Sequence, residues 1–181
     1  MMRLFAAFTP SDEAREHLVA ALRPIRERTG QELRWTDPDS WHLTLAFYGD
    51  QPNDPADLER HLAAVAAGYG PLELGLRGAG SFNQRTLWIG VDGDTTQLRH
   101  LMAECLLDPG ERQRQRAHLT VARTGSRTRD RWLLDDLVHA LAVYDGPQFT
   151  CDRIELVQSH LGAGRSGGPR YETVSEIRLL G

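Results

Sequence analysis

The sequence contains no lysine: all 21 basic side chains are arginine. Without a lysine amine there is no Schiff-base chemistry and no phosphate-binding loop of the Walker type. Cysteine is nearly as scarce. Cys105 and Cys151 lie far apart and outside any metal-ligand spacing, one in an apolar helical pattern and one in a strand pattern, so both are expected to be buried free thiols. No apolar run approaches the ~18 residues of a membrane span. The opening "MMRLFAAFTPSDE" turns acidic by Asp12, too early for the apolar region of a signal peptide, so the expected compartment is the cytoplasm. An excess of positive charge is also missing: the net charge is -4. Any nucleic-acid contact must therefore be local rather than a property of the whole surface. The G-x-S-x-G pattern at residues 164–168 falls in a Gly-rich loop between two expected strands, not on the strand-to-helix elbow that a Ser–His–Asp triad uses.

What is present reads as one folded unit spanning 1–181. Strands alternating with helices indicate an α/β or α+β domain, and no linker separates independent pieces. "RLFAAF" reads as a strand. Ser11 then caps a helix whose stripe is Ala14, Leu18, Leu22 and Ile25. A short extended piece near Leu33–Trp35 and a turn, "TDPDS", lead to a strand over His42–Tyr48. Leu58, Leu62 and Val65 mark a second helix, stopped by Gly68 and Gly70. Strands are expected over Leu72–Leu76 and Thr86–Val91, then a helix on Leu98, Leu101, Met102 and Cys105. A polar "DPGERQRQR" precedes a strand over His118–Arg123. Trp132, Leu134, Leu137, Val138 and Leu141 predict a fourth helix. Strands over Phe149–Val157 and Tyr171–Leu180 flank the loop "GAGRSGG". The order of elements suggests a duplicated unit.

Against this background one tripeptide recurs. "HLTLAF" begins at His42 and "HLTVAR" at His118, each opening a strand, whereas composition predicts roughly 0.06 occurrences of His-Leu-Thr in a chain this long. Strand side chains alternate, so His42, Thr44 and Ala46 are expected on one face, with Leu43, Leu45 and Phe47 on the other. In the second copy His118, Thr120 and Ala122 share a face, opposite Leu119 and Val121; the same parity puts Arg123 on the face away from His118. A single His-x-Thr reads as an ordinary polar strand face. Two copies related by a pseudo-two-fold axis bring two imidazoles and two hydroxyls into one groove, a set suited to phosphoryl chemistry. One ring can accept a proton while the other donates one, and the hydroxyls can donate to non-bridging phosphate oxygens. Neither motif carries a third His, Cys or carboxylate at zinc spacing, and this chemistry requires no metal or other cofactor. His17, His61, His100 and His139 fall in helical patterns, and His160 at a strand end beside the Gly-rich loop.

On these motifs the sequence resembles the 2H phosphoesterase superfamily, named for its two H-x-T/S-x motifs, and within it the RNA 2′,3′-cyclic phosphodiesterases, also called 2′-5′ RNA ligases. "RLFAAFTP", "SWHLTLAFYGD", "TLWIGVDG", "AHLTVAR" and "LVQSHLG…GPRYETV" extend the likeness over nearly the whole chain. Ala117 departs from the Pro that often precedes the second His. The resemblance implies a bilobal α/β (α+β) fold, with two antiparallel sheets around a V-shaped groove, helices outside and one motif in each lobe. It also implies metal-independent opening of a 2′,3′-cyclic phosphate to a 2′-phosphate. His42 would protonate the departing oxygen, His118 would deprotonate the attacking water, and Thr44 and Thr120 would hold the phosphate. The residues by themselves leave open which His is acid and which is base. Arg123 matches the second motif and Phe5 offers a stacking face for a base. The expected partners are RNA ends or nucleotides carrying a 2′,3′-cyclic phosphate, the expected state is a monomer, and no membrane is involved. The alternatives are the same groove acting on ADP-ribose cyclic phosphate or 2′-5′ linkages, 2′-5′ ligation, and a binding module without turnover. Two intact titratable motifs argue against the last.

Overall fold

A computed structural model describes residues 1–108, 110, 116–164 and 168–181. Parts of the polar segment and of the Gly-rich loop noted above lie outside the described residues. In chain order the elements are β1 (Met2–Phe8), α1 (Asp12–Thr29), β2 (Leu33–Trp35), β3 (Leu43–Gln51), α2 (Ala56–Ala66), β4 (Leu72–Phe82), β5 (Thr86–Gly93), α3 (Thr95–Cys105), β6 (Leu119–Thr124), α4 (Leu133–Ala140), β7 (Asp145–Cys151), β8 (Arg153–His160) and β9 (Arg170–Arg178). The helices form where the apolar stripes require them. Ser11 caps α1 by accepting from the Ala14 amide at 3.2 Å. Ala14, Leu18 and Leu22 are buried on α1, Leu58, Leu62 and Val65 on α2, and Leu98, Leu101, Met102 and Cys105 on α3. None of the helices described is long and apolar enough to cross a membrane.

The strands make two antiparallel sheets, ordered β3-β1-β8-β9 and β2-β6-β5-β4-β7. Each motif strand, β3 or β6, pairs with a neighbour, β1 or β5, that pairs in turn with β8 or β4. The fold is the α/β arrangement of two antiparallel sheets expected from the resemblance. Strand β1 is buried on both faces. Leu4, Ala6 and Phe8 enter the main core, whereas Phe5 and Ala7 join Val157 and Tyr171 in a separate cluster on the other face. That second face carries the first motif.

Two strand expectations are corrected. Phe149–Val157 is two strands, not one: β7 pairs with β4 in one sheet and β8 with β1 in the other. The buried positions carry the mark of the break, because Phe149 and Cys151 are followed by Ile154 and Leu156, a step of three where a continuous strand needs two. Asp152 lies at the break, and its carbonyl accepts from the Leu179 amide at 2.9 Å. Strand β4 also runs on to Phe82 and joins β5 through Asn83, Gln84 and Arg85, the first two with positive φ. Paired left-handed residues make the tight turn whose twist suits a hairpin, although the usual Asn-Gly signal is missing here.

A further correction concerns side-chain parity. Both motif strands carry a bulge at the same place. Ala7 pairs with Thr44 and Ala6 with Ala46, so the register skips Leu45; Trp88 pairs with Thr120 and Leu87 with Ala122, so it skips Val121. An inserted residue breaks the period of two. Leu45 and Ala46 are both buried, as are Val121 and Ala122, and the residues that follow are turned over, in β3 as far as a second shift that skips Tyr48. Phe47, expected in the core, is 50% exposed. Arg123 moves to the His118 side for the same reason.

Candidate active site

The histidines stand immediately before the two motif strands. Before His42, Asp37 caps a short 3-10 turn, Pro38–Ser40, and the Ser40 carbonyl lies 2.8 Å from His42 Nδ1. Before His118, the Arg116 carbonyl lies 2.6 Å from His118 Nδ1. The geometry is repeated: each ring bonds the carbonyl two residues upstream. A carbonyl only accepts, so Nδ1 carries the hydrogen in both rings, and in the neutral form Nε2 is the free acceptor. Arg116 is itself anchored, its guanidinium 4.5 Å from the centroid of the Trp88 ring.

Aromatic rings hold both imidazoles. His42 lies 4.8 Å from Phe5 and 5.1 Å from Tyr171, edge-on to the latter. His118 lies 4.9 Å from Phe82 and 6.1 Å from Trp88. Trp88 can lie flat because Gly80 faces it across β4 and β5, where a Cβ would come within 2.1 Å of the indole. Phe5 is therefore a packing surface beneath His42, 4% exposed. Thr44 and Thr120 are half-buried, each one residue into its strand.

Burial is the main influence on both rings and pushes both below the ordinary histidine value. For His42 the Ser40 carbonyl opposes this and the charge of His118 adds to it. For His118 the Arg116 carbonyl opposes it, while the charges of Arg123 and then Arg116 add to it. The charge of His118, from the five-stranded sheet, thus acts on His42 at the start of β3 in the four-stranded one. Arg123 also acts on both sheets: its charge lowers His118 in its own sheet and Tyr171 in the other.

Residues 10–163 match the 2′-5′ RNA ligase superfamily. The chain belongs to that superfamily. It is 32% identical over 159 residues to an RNA 2′,3′-cyclic phosphodiesterase of Geobacillus stearothermophilus, an alignment covering 81% of this chain but 48% of that protein. The chain thus spans about half the length of that relative. It is 27% identical to an RNA 2′,3′-cyclic phosphodiesterase of Methanothermobacter thermautotrophicus, with 98% of this chain and 99% of that one aligned. The crystal structure of TT0787 of Thermus thermophilus shares the fold with a TM-score of 0.72 at 24% identity, covering 99% of both chains.

Two residues of this superfamily member were not signalled by its sequence motifs. Thr36 follows β2; its amide donates to the Val121 carbonyl at 2.9 Å, and its hydroxyl lies 3.0 Å from the carbonyls of both Thr120 and Val121. The indole of Trp41, next to His42, donates to that hydroxyl at 2.8 Å. The chain leading into the first histidine is thereby fastened to the bulge of the second motif strand. A lone Thr in a turn-rich loop gives no sign of this, because its partners are main-chain carbonyls more than eighty residues away.

The remaining histidines lie elsewhere. His17 meets the Tyr144 hydroxyl at 3.1 Å, and His160 Nε2 lies 3.1 Å from a Glu172 carboxylate oxygen. His61, His100 and His139 lie on α2, α3 and α4. Among the described residues no three His, Cys, Asp or Glu side chains come together as a metal site. Cys105 and Cys151 are buried free thiols as expected, each pushed up to about 12, chiefly by burial.

Proposed function

We propose that the protein hydrolyses terminal 2′,3′-cyclic phosphodiesters of RNA or nucleotides to 2′-phosphomonoesters, with His42 as proton donor and His118 as proton acceptor. The reading is carried by the matched pair of imidazoles, each with Nδ1 committed to a backbone carbonyl and Nε2 left for chemistry. Its support includes the names of the two curated relatives and the cationic surroundings of His118. In the step itself His118 Nε2 takes a proton from water as the oxygen attacks phosphorus. The bond from phosphorus to the 3′ oxygen breaks, and His42 Nε2–H protonates that oxygen, so one proton enters the pair and one leaves. Thr44 and Thr120 donate to the non-bridging oxygens, and Arg123 adds a permanent positive charge as negative charge builds there. Phe5 and Tyr171 exclude water from the His42 ring. The same reading takes residues 1–181 as a single unit of two pseudo-symmetric lobes, acting as a cytoplasmic monomer. Buried free thiols suit that compartment.

The test is incubation of purified protein with 2′,3′-cyclic nucleotides in excess chelator, with the product identified as the 2′- or 3′-phosphate. Turnover to the 2′-phosphate is expected. Tight binding without turnover would instead assign a binding module. Release of the 3′-phosphate would reverse which oxygen departs and remove the proposed geometry of donor and acceptor.

A further inference from the structure

Around Arg123, the second sheet carries further positive charge that the proton-transfer chemistry does not use. Arg34 stands directly opposite Arg123 in the β2–β6 register, and Thr86 stands opposite Arg123 on the other side. These three residues form one row across three strands. Arg85 adjoins it, its carbonyl accepting from the Thr124 amide at 2.8 Å. Together with Gly125 they line a cavity of about 450 Å³. Gly125 has a part in this, since a Cβ there would lie 3.4 Å from Arg34 Nε.

Like charges directly opposite on neighbouring strands are destabilising. Other strand arginines have acidic partners: Arg77 pairs with Asp92, and Arg153, opposite Arg178 in register, with Asp152 and Glu176. Among the described residues no such ion pair is made by Arg34, Arg85 or Arg123. Acid is not in short supply, with 25 Asp and Glu in the chain. Three neighbouring arginines that make no ion pair among the described residues, two of them opposite in register, are an arrangement that an anion relieves. Planar guanidiniums hold phosphate oxygens in forked pairs.

Arg123 connects this cavity to the cleft, and Thr120 is three residues, roughly 10 Å, along the same strand. We propose that Arg34 and Arg85, beside Arg123, form a second phosphate site that binds the 5′-side phosphate of the nucleotide whose cyclic phosphate lies at the histidines. This rests on the proposed function and narrows its substrate: the preferred class carries a phosphate on both sides of the terminal ribose. That phosphate is either the internucleotide diester of an RNA end or the monoester of a 5′-phosphorylated nucleotide.

The experiment compares kcat/KM at low salt for three substrates: a 2′,3′-cyclic mononucleotide with a free 5′ hydroxyl, its 5′-phosphorylated form, and a dinucleotide ending in a 2′,3′-cyclic phosphate. The second phosphate is expected to raise kcat/KM at least about tenfold, in keeping with charge-assisted hydrogen bonds. A gain confined to the dinucleotide identifies the internucleotide diester as the ligand; a gain confined to the 5′-phosphorylated nucleotide identifies the monoester. Arg34→Ala and Arg85→Ala should each remove most of the gain while leaving the 5′-hydroxyl substrate within about twofold of wild type. The melting temperature of Arg34→Ala should not fall, since a like-charge pair is being removed. Equal kcat/KM for all three substrates, or an equal loss on all three in the variants, would overturn the second site and leave the proposed function standing. If none of the three is hydrolysed, the proposed function falls and the second site falls with it.

Discussion

His42 and His118 occupy equivalent places in the two sheets and have unlike surroundings. His42 sits on Phe5 and Tyr171 and is held by the carbonyl of a capped turn; the charge that acts on it is that of the other histidine. His118 sits on Phe82 and Trp88 and feels Arg123 and Arg116. Position five after each histidine repeats the contrast, with Phe47 in one half and Arg123 in the other. The scaffold is thus copied down to the bulge, while the charges are not. Fixed positive charge beside His118 favours its neutral form, the form a base needs. Around His42 there is no matching cation among the causes of its shift, so an anionic phosphate can favour its protonated form. The asymmetry supports His118 as base and His42 as acid.

The largest expected effect tests that division. His42→Ala and His118→Ala should each lower turnover by about 10²–10⁴-fold with the fold intact, as loss of a general acid or base does. The wild-type kcat/KM profile should be bell-shaped, its limbs belonging to the coupled pair. Because both rings of the free protein are pushed down, the bell should centre below the ordinary histidine value of about 6.5. In the residual activity, His118→Ala should lose the acidic limb and His42→Ala the alkaline one. The reverse pattern would exchange their roles.

A smaller effect is expected for Thr44→Ala and Thr120→Ala. Each removes a neutral hydrogen bond worth about 0.5–1.5 kcal/mol, hence about 2- to 13-fold in kcat/KM. Steady-state kinetics decide it. A threonine variant as inactive as the histidine variants would give that hydroxyl a part in proton transfer.

Smaller again is the effect of untying the halves. Thr36→Val keeps the shape and removes the hydroxyl that joins Trp41 to the β6 carbonyls. Leaving the buried indole N–H unpaired should cost about 1–3 kcal/mol of stability. A few-fold fall in kcat with KM nearly unchanged is expected, because the two histidines lose a shared support. Thr36→Ser, which restores the hydroxyl, should recover kcat; failure to recover would leave Thr36 a packing residue only.

The periodicities that were easy to read in the sequence belong to long, regular elements. The four helical stripes and the paired His-x-Thr signal are local patterns, and they locate the helices and the motif strands. The bulges at Leu45 and Val121 were illegible, because a period of two carried past an extra residue turns the side chains that follow to the wrong face. That is how Phe47 was expected in the core and Arg123 away from His118. The crossing at Asp152 left only a spacing of three between Cys151 and Ile154. Arg34 lies on a three-residue strand, too short for any period, and its meaning comes from standing opposite Arg123 across the sheet.

The smallest expected effect is on stability, and it compares the halves without any substrate. Burial holds both imidazoles below the ordinary histidine value in the folded chain. As pH falls through about 6.5 the unfolded chain takes up protons that the folded chain resists, so the unfolded state gains. Stability contributed by the neutral, buried rings is present above that pH and is lost below it. The carboxylates of Asp92 and Asp152 are held down by Arg77 and Arg153, so their contributions are lost lower, as pH falls below the usual carboxylate range near 4. The window between about 6.5 and 4 therefore reports mainly on histidine. The melting temperature of the wild type should fall across it, and less steeply in His42→Ala and in His118→Ala. Inorganic phosphate, by favouring imidazolium in the cleft, should reduce the wild-type slope, and should do so more in His118→Ala, which keeps His42, than in His42→Ala. Equal slopes in all three proteins would mean that the rings titrate as they do in water, and the contrast between the two halves would then lie in shape alone.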